Sequence, residues 1–151
     1  ALVEGRANLD AIDLTGMTAL DFAAMEGHAA VEQLLAARGA DLQAGIPLHR
    51  AAIWGHAEAA RAVAELFPDI DVREPSHGST ALHSAAFFGR LEIARLLLDL
   101  GADPAAKDNH GSNAYKCSER RGHLEVMRLL LERDADWGAR NPFDRTVLHE
   151  A

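Results

Sequence analysis

Cysteine is nearly missing from this sequence: Cys117 is the one thiol in 151 residues. No internal disulfide can form, which excludes a disulfide-framed fold and leads us to expect an intracellular setting, cytoplasmic or nuclear. Aromatic residues are scarce at 5%, so the core cannot be built on large rings. Basic residues are outnumbered, 15 Lys and Arg against 23 Asp and Glu, for a formal net charge of -8. Nucleic acid is therefore not an expected partner, because binding it relies on neutralising phosphates. The same balance disfavours an anionic membrane surface. No apolar run reaches the roughly 18 residues of a membrane span, so membrane insertion is not expected either. The chain opens at Ala1 with no signal-peptide pattern and reads as an excised or processed segment.

What is present is Ala and Leu, within an apolar fraction of 48% and a charged fraction of 25%. These residues recur with a period. An apolar helix-entry residue appears as Leu20, Leu48, Leu82, Tyr115 and Leu148, at intervals of 28, 34, 33 and 33. Gly27, Gly55, Gly89 and Gly122 repeat at 28, 34 and 33, followed by His28, His56, Arg90 and His123. Two independent landmarks share one period, the mark of a repeat architecture.

Each unit opens on a turn signal such as Asp13-Leu14-Thr15-Gly16. Thr18, Thr80 and Thr146 then stand where a helix N-cap belongs, and Pro47 takes a first-turn position. A short apolar helix follows and ends at the glycine, which is expected in the left-handed conformation. A second helix carries apolar residues at helical spacing, such as Leu91, Ile93, Ala94, Leu96, Leu97 and Leu98. One helix pair cannot bury its own apolar faces, but stacked copies can. Ala23-Ala24, Ala51-Ala52 and Ala85-Ala86 let neighbouring first helices approach closely.

These residues resemble the ankyrin repeat, whose pattern runs Asp-x-x-Gly-x-Thr-Pro-Leu-His-x-Ala-Ala-x-x-Gly-His, then a Leu-rich helix and Gly-Ala-Asp. The fullest match is Gly78 to Gly89, continuing through Leu96-Leu97-Leu98 to Gly101-Ala102-Asp103. The resemblance covers the whole chain. It implies an all-α solenoid of stacked helix-turn-helix units with projecting β-hairpin loops, forming one domain over 1–151. Residues 1–11 read as the end of a preceding repeat. Repeats follow at about 12–44, 45–74, 75–107 and 108–140, and 141–151 begin a truncated one. Neither end carries a capping repeat, so the expectation is that the native protein continues in both directions or that the missing parts were removed.

Departures from the pattern are specific. The second repeat lacks about six residues before Ile46-Pro47-Leu48, which removes its hairpin, and ends Phe67-Pro68-Asp69 in place of Gly-Ala-Asp. The fourth has Tyr115-Lys116-Cys117-Ser118-Glu119 where Leu-His-x-Ala-Ala is expected. Glu119 falls on a normally small, buried position, where it would need Arg120, Arg121 or Lys116 as partner.

In this family, partners contact the hairpin tips and the exposed edge of the first helices. By position, the tips are Leu14, Thr15, Met17, His77, Ser79, Asn109, His110, Ser112, Phe143 and Arg145. The helix-edge pairs are Met25-Glu26, Ile53-Trp54, Phe87-Phe88 and Arg120-Arg121. Trp54, Phe87 and Phe88 are three of the eight Trp, Tyr and Phe residues, and aromatics with arginine carry much interface energy. The expected partner-binding set is Met17, Met25, Ile53, Trp54, His77, Phe87, Phe88, His110, Arg120 and Arg121. In it an apolar anchor stands beside two arginines that take an acidic group, and some of the rings can equally serve as packing between repeats.

Enzyme signals are poor. Of eight histidines, six fall on the repeat grid: His49, His83 and His149 at the Leu-His step, and His28, His56 and His123 after the glycine. The resemblance makes these structural, bonding turns and backbone. Residues one repeat apart stand roughly 8–10 Å from each other, too far to share an ion. His77 and His110, at the tips, are the off-grid pair. His149-Glu150 lacks the second histidine of a zinc-protease motif, and no phosphate loop or nucleophile elbow is present. Cys117 reads as a packed residue, and the acidic stretch Asp69 to Glu74 as a solvated turn. No catalytic residue, metal or cofactor is expected. The expected function is a protein-protein interaction module or scaffold whose partner is another protein. The alternative is a regulatory or targeting arm of a larger enzyme, channel or effector.

Overall fold

A computed structural model describes residues 11–40, 46–66 and 69–140, with the backbone alone at 135–140. Eight α-helices and no strand occur among the described residues. They are α1 (Ala19–Glu26), α2 (Ala29–Ala37), α3 (Pro47–Trp54), α4 (Ala57–Leu66), α5 (Ala81–Phe87), α6 (Leu91–Asp99), α7 (Ala114–Arg121) and α8 (Leu124–Arg140). The chain divides into two compact units, Ala1–Pro68 and Asp69–Ala151.

In the first unit α1 packs on α3 and α2 on α4; in the second, α5 packs on α7 and α6 on α8. First helices thus form one layer of each unit and second helices the other. The alanines predicted to allow this approach are buried: Ala24, Ala51, Ala52, Ala85 and Ala86 are all fully covered. Leu20, Leu48 and Leu82 fill the space beneath them. Small residues bring the helices close, and larger ones close the gap from the side.

Helix ends follow from specific residues. Thr18 accepts from the Asp21 N–H at 3.1 Å, and the Asp21 carboxylate accepts from the Thr18 N–H at 3.1 Å. Thr80 and His83 form the corresponding box around α5. Asn113 caps α7, accepting from the Lys116 N–H at 2.9 Å, a cap the threonine pattern does not announce. At Gly27 and Gly89 glycine is needed twice over. Their φ values are 77° and 70°, and a Cβ at either would lie 2.6 Å from the Nδ1 of the next repeat's histidine, His56 or His123. His123 also bonds through Nε2 to the Phe87 carbonyl at 3.0 Å. The after-glycine histidine therefore locks one repeat to the one before it.

The loops are hairpin-like turns, each closed by a backbone bond across its base and a second one from its glycine N–H back to the opening acidic residue's carbonyl. Asp13 N–H donates to the Met17 carbonyl at 3.0 Å, Glu74 to Ser79 at 2.9 Å and Asp108 to Ser112 at 2.9 Å. The shortened loop of the second repeat, its Phe67-Pro68 ending, and the truncated stretch 141–151 with Phe143, Arg145, Thr146, Leu148 and His149 lie outside the described residues.

Three expectations are corrected. Glu119 is exposed rather than buried; among the described residues no first helix follows α7 to cover it. Ser112 is buried at its hairpin rather than presented at the tip. Asp71 and Glu74 are not merely solvated: Asp71 accepts from the Asp103 N–H at 3.0 Å, and Glu74 from the N–H groups of Ser76, His77 and Ser79. A fourth feature was not anticipated. α8 runs on to Arg140 where α2 and α6 stop, because Asp134 stands where Gly39 (φ 92°) and Gly101 (φ 97°) break those helices. Without a residue that readily takes positive φ, the helix continues.

Candidate functional site

In the second unit the hairpin turns and the first helices enclose one cleft of about 390 Å³. The turns supply His77, Ser79, Asp108 and His110; α5 and its end supply His83, Ser84, Phe87 and Phe88; α7 supplies Cys117 and Arg120. Five residues expected to bind a partner, His77, Phe87, Phe88, His110 and Arg120, thus come together in one place.

The rim is held from below. Asn109 N–H donates to the His77 carbonyl at 2.8 Å, joining successive turns. Arg73 donates from Nη1 to the Gly78 carbonyl at 2.7 Å and to the Lys107 carbonyl. The His77 and His110 rings then stand with centroids 6.0 Å apart and tilted by 39°. The Glu74 carboxylate lies 3.6 Å from His77 Nδ1. Partial burial raises its pKa, but the N–H groups of His77, Ser79 and Ser76 outweigh this and hold it below the usual carboxylate range.

His83 forms the floor and is buried. Its Nδ1 accepts from the Thr80 N–H at 3.1 Å, so Nε2 carries the proton and donates to the Ser112 carbonyl at 2.8 Å. Burial pushes its pKa down, against the opposing pull of Ser112 and Asp108, so the ring is neutral at pH 7. Asp108 accepts from the N–H groups of His110 and Ser112, both at 2.9 Å. Burial works against ionisation there, but these bonds prevail and hold the carboxyl low.

Phe87 and Phe88 meet edge to face, centroids 5.0 Å apart, and are 37% and 41% exposed. Both rings therefore remain open to a partner. The Arg121 guanidinium lies 4.9 Å above the Phe87 ring, a cation–π contact. Arg120 donates from Nη2 to Ser112 Oγ at 2.9 Å, which orients its guanidinium on the cleft wall. Buried Ser112 is thus a positioning residue for both His83 and Arg120. Burial, with the Asp108 charge adding to it, pushes the Cys117 thiol up to about 11, so it is a packed thiol and no nucleophile at neutral pH.

The other four expected residues belong to the first unit. Met17 is half-buried beside its hairpin, where its N–H donates to Asp13 Oδ1 at 3.0 Å. Met25 and Ile53 are half-buried near the ends of α1 and α3, and Trp54 is 54% exposed. Sequence reasoning missed His83, Ser84, Asp108 and Cys117 as lining residues. Only Asp108 had a legible signal, the Asp-x-x-Gly that opens its hairpin.

Among the described residues, no three His, Cys, Asp or Glu side chains are arranged to hold a metal ion. Nor is any described helix long and apolar enough to cross a membrane.

The family description "Ankyrin repeats (3 copies)" matches residues 44–108, and "Ankyrin repeat" matches 15–45 and 114–142. The chain is similar to the ankyrin repeat and SAM domain-containing protein 6 of Mus musculus, at 39% identity over 61 residues, 40% of this chain and 7% of that protein. It is also similar to a transient receptor potential cation channel subfamily A member 1 homolog of Caenorhabditis elegans, at 32% identity over 109 residues, 69% of this chain and 9% of that protein. The chain spans less than a tenth of the length of either relative.

Proposed function

Since the chain belongs to the ankyrin-repeat family, we propose that it is a protein-interaction module whose second unit receives a partner protein in the cleft between hairpin turns and first helices. The observation that carries this reading is convergence: tip residues His77 and His110 and helix-edge residues Phe87, Phe88 and Arg120 line one opening. The mechanism is rigid presentation. Turns bonded to each other and an arginine held by Ser112 leave little ordering to be done on binding. Met17, Met25, Ile53 and Trp54 of the first unit, with Arg121 of the second, provide further contacts. We read the module as intracellular, cytoplasmic or nuclear, on the strength of its one cysteine.

The test is affinity capture from lysate with mass spectrometry, using the wild type, a Phe88→Ala, Arg120→Ala variant and a Trp54→Ala variant, with circular dichroism to verify folding. A partner held by the wild type and lost from the folded cleft variant supports the cleft as the site. Capture that survives the cleft variant and fails only with Trp54→Ala moves the site to the first unit.

A second reading rests on a specific observation: both relatives are far longer than this chain, and one is a transient receptor potential cation channel subfamily A member 1 homolog. On that reading the module is a regulatory or targeting arm, and the activity it serves lies outside these residues. The two readings share the binding cleft and differ in what it is attached to.

A further inference from the structure

We propose that the occupant of the cleft is a short extended peptide with one acidic side chain beside an apolar one, the carboxylate bound by Arg120 and the apolar group resting on Phe88. This deepens the interaction-module reading and rests on it.

Among the described residues no carboxylate pairs with Arg120, and the Ser112 hydroxyl takes one of its donors. A guanidinium has five donors in a planar fork suited to a carboxylate, and this one is already oriented on the wall. Arg121 and Lys116 lie on the same helix, so α7 is a basic element in a chain of net charge -8. The rings beside it are not equivalent. Phe87 has Arg121 over its face, while among the described residues Phe88 has no cation over it and is 41% exposed. Phe88 is therefore the apolar seat and Arg120 the charged one.

The cleft also limits the acid count. Asp108 lines it and is held ionised by two backbone N–H groups. Glu74 is held ionised next to His77. A second or third carboxylate on the ligand would meet these charges, and beyond the cleft the chain is net acidic. An acidic tract is disfavoured, and a lone Asp or Glu among neutral residues fits. Size points the same way: about 390 Å³ is near the low end of ligand pockets, suited to a few side chains and too small to bury a helix 10–12 Å across.

The experiment is selection from a random nonapeptide display library on the full chain, followed by fluorescence polarisation of selected peptides. Variants Arg120→Gln, Arg120→Lys and Phe88→Ala, checked for folding, serve as comparisons. The expected result is enrichment of one Asp or Glu next to an apolar residue. Affinity should fall about tenfold or more with Arg120→Gln and less with Arg120→Lys. It should also fall when a second acid is added to the peptide. Peptides that need Phe88 but show no acidic preference, or whose preference survives Arg120→Gln, overturn the acidic assignment and leave the module reading standing. Peptides indifferent to both Phe88 and Arg120 count against both. A selection that yields no peptide overturns the short-peptide occupant, while the capture experiment above still decides the module reading.

Discussion

In α1, which opens the first unit, the third side chain of the helix is the carboxylate of Asp21; in α5, which opens the second, it is the imidazole of His83. Both reach the next repeat. Asp21 Oδ1 accepts from the Ile46 N–H at 2.8 Å, and His83 Nε2 donates to the Ser112 carbonyl at 2.8 Å. Each also bonds the N–H of its own capping threonine. The position is fixed by geometry, while the residue type is set by what the neighbour offers. The fourth repeat has a hairpin, and the carbonyl before its cap Asn113 faces back. The second repeat is shortened, and the N–H of its cap Ile46 faces back instead. An acceptor is needed there and a donor here.

The units differ again in their second helices. Glu32 in α2 is fully buried with neither carboxylate oxygen bonded, at the repeat position where Ala60 and Ala94 stand. Burial alone pushes its pKa up from 4.5 to about 8. In the second unit His83, also a buried titratable group, is bonded through both nitrogens and its pKa is pushed down from 6.5. The signs of the two pH dependences are therefore opposite. Glu32 has a raised folded pKa, so its contribution is fully present below pH 4.5 and is lost as pH rises towards 8. His83 has a depressed folded pKa, so its contribution is present above pH 6.5 and is lost as pH falls below it.

Substitutions can break this contrast, beginning with the largest effect. Asp21→Ala strands the N–H groups of Thr18 and Ile46 and should cost about 3 kcal/mol, read as a shift in the urea midpoint. A loss under about 1 kcal/mol would mean that the carboxylate is not the tether between repeats. His83→Ala should cost about 2 kcal/mol and remove the stability loss below pH 6.5, seen by comparing urea melts at pH 5 and pH 7.5. Gly89→Ala and Gly122→Ala share the left-handed strain, but only Gly89 faces a histidine ring. The first should therefore exceed the second by about 1 kcal/mol in calorimetry, and equal costs would show that the His123 lock is slack. Glu32→Ala restores the residue type of the other repeats. It should stabilise the chain at pH 8 by about 1 kcal/mol and make the opening free energy of α2, taken from amide exchange after correction for the intrinsic rate, insensitive to pH between 4.5 and 8.

The period near 33 and the glycine-histidine landmarks were enough to read the helix pairs, their order and their alanine contacts, because stacking leaves a periodic imprint on the sequence. Thr18, Thr80 and Pro47 marked helix starts for the same local reason. Six of the ten lining residues were also legible, as tips and helix edges: His77, Ser79, Phe87, Phe88, His110 and Arg120. The rest depends on what a side chain meets in three dimensions. Ser112 looked like a tip residue, and only the fold shows it buried and holding Arg120. Glu119 sits on a position that the pattern marks as buried, and it is exposed. Glu32 resembles any helix-surface glutamate until its register is compared with Ala60 and Ala94. The long α8 was written in the replacement of a glycine by Asp134, a signal weaker than the glycines it departs from.

Under the proposed function the second unit, and not the first, carries the principal binding cleft. Backbone amide shifts of the labelled full chain, recorded with and without a captured partner, test it most directly. Perturbations are expected to concentrate at His77, Phe88, His110 and Arg120, with smaller changes at Met25 and Trp54. Perturbations centred on Trp54, or spread along α6 and α8 with the cleft unchanged, would contradict it.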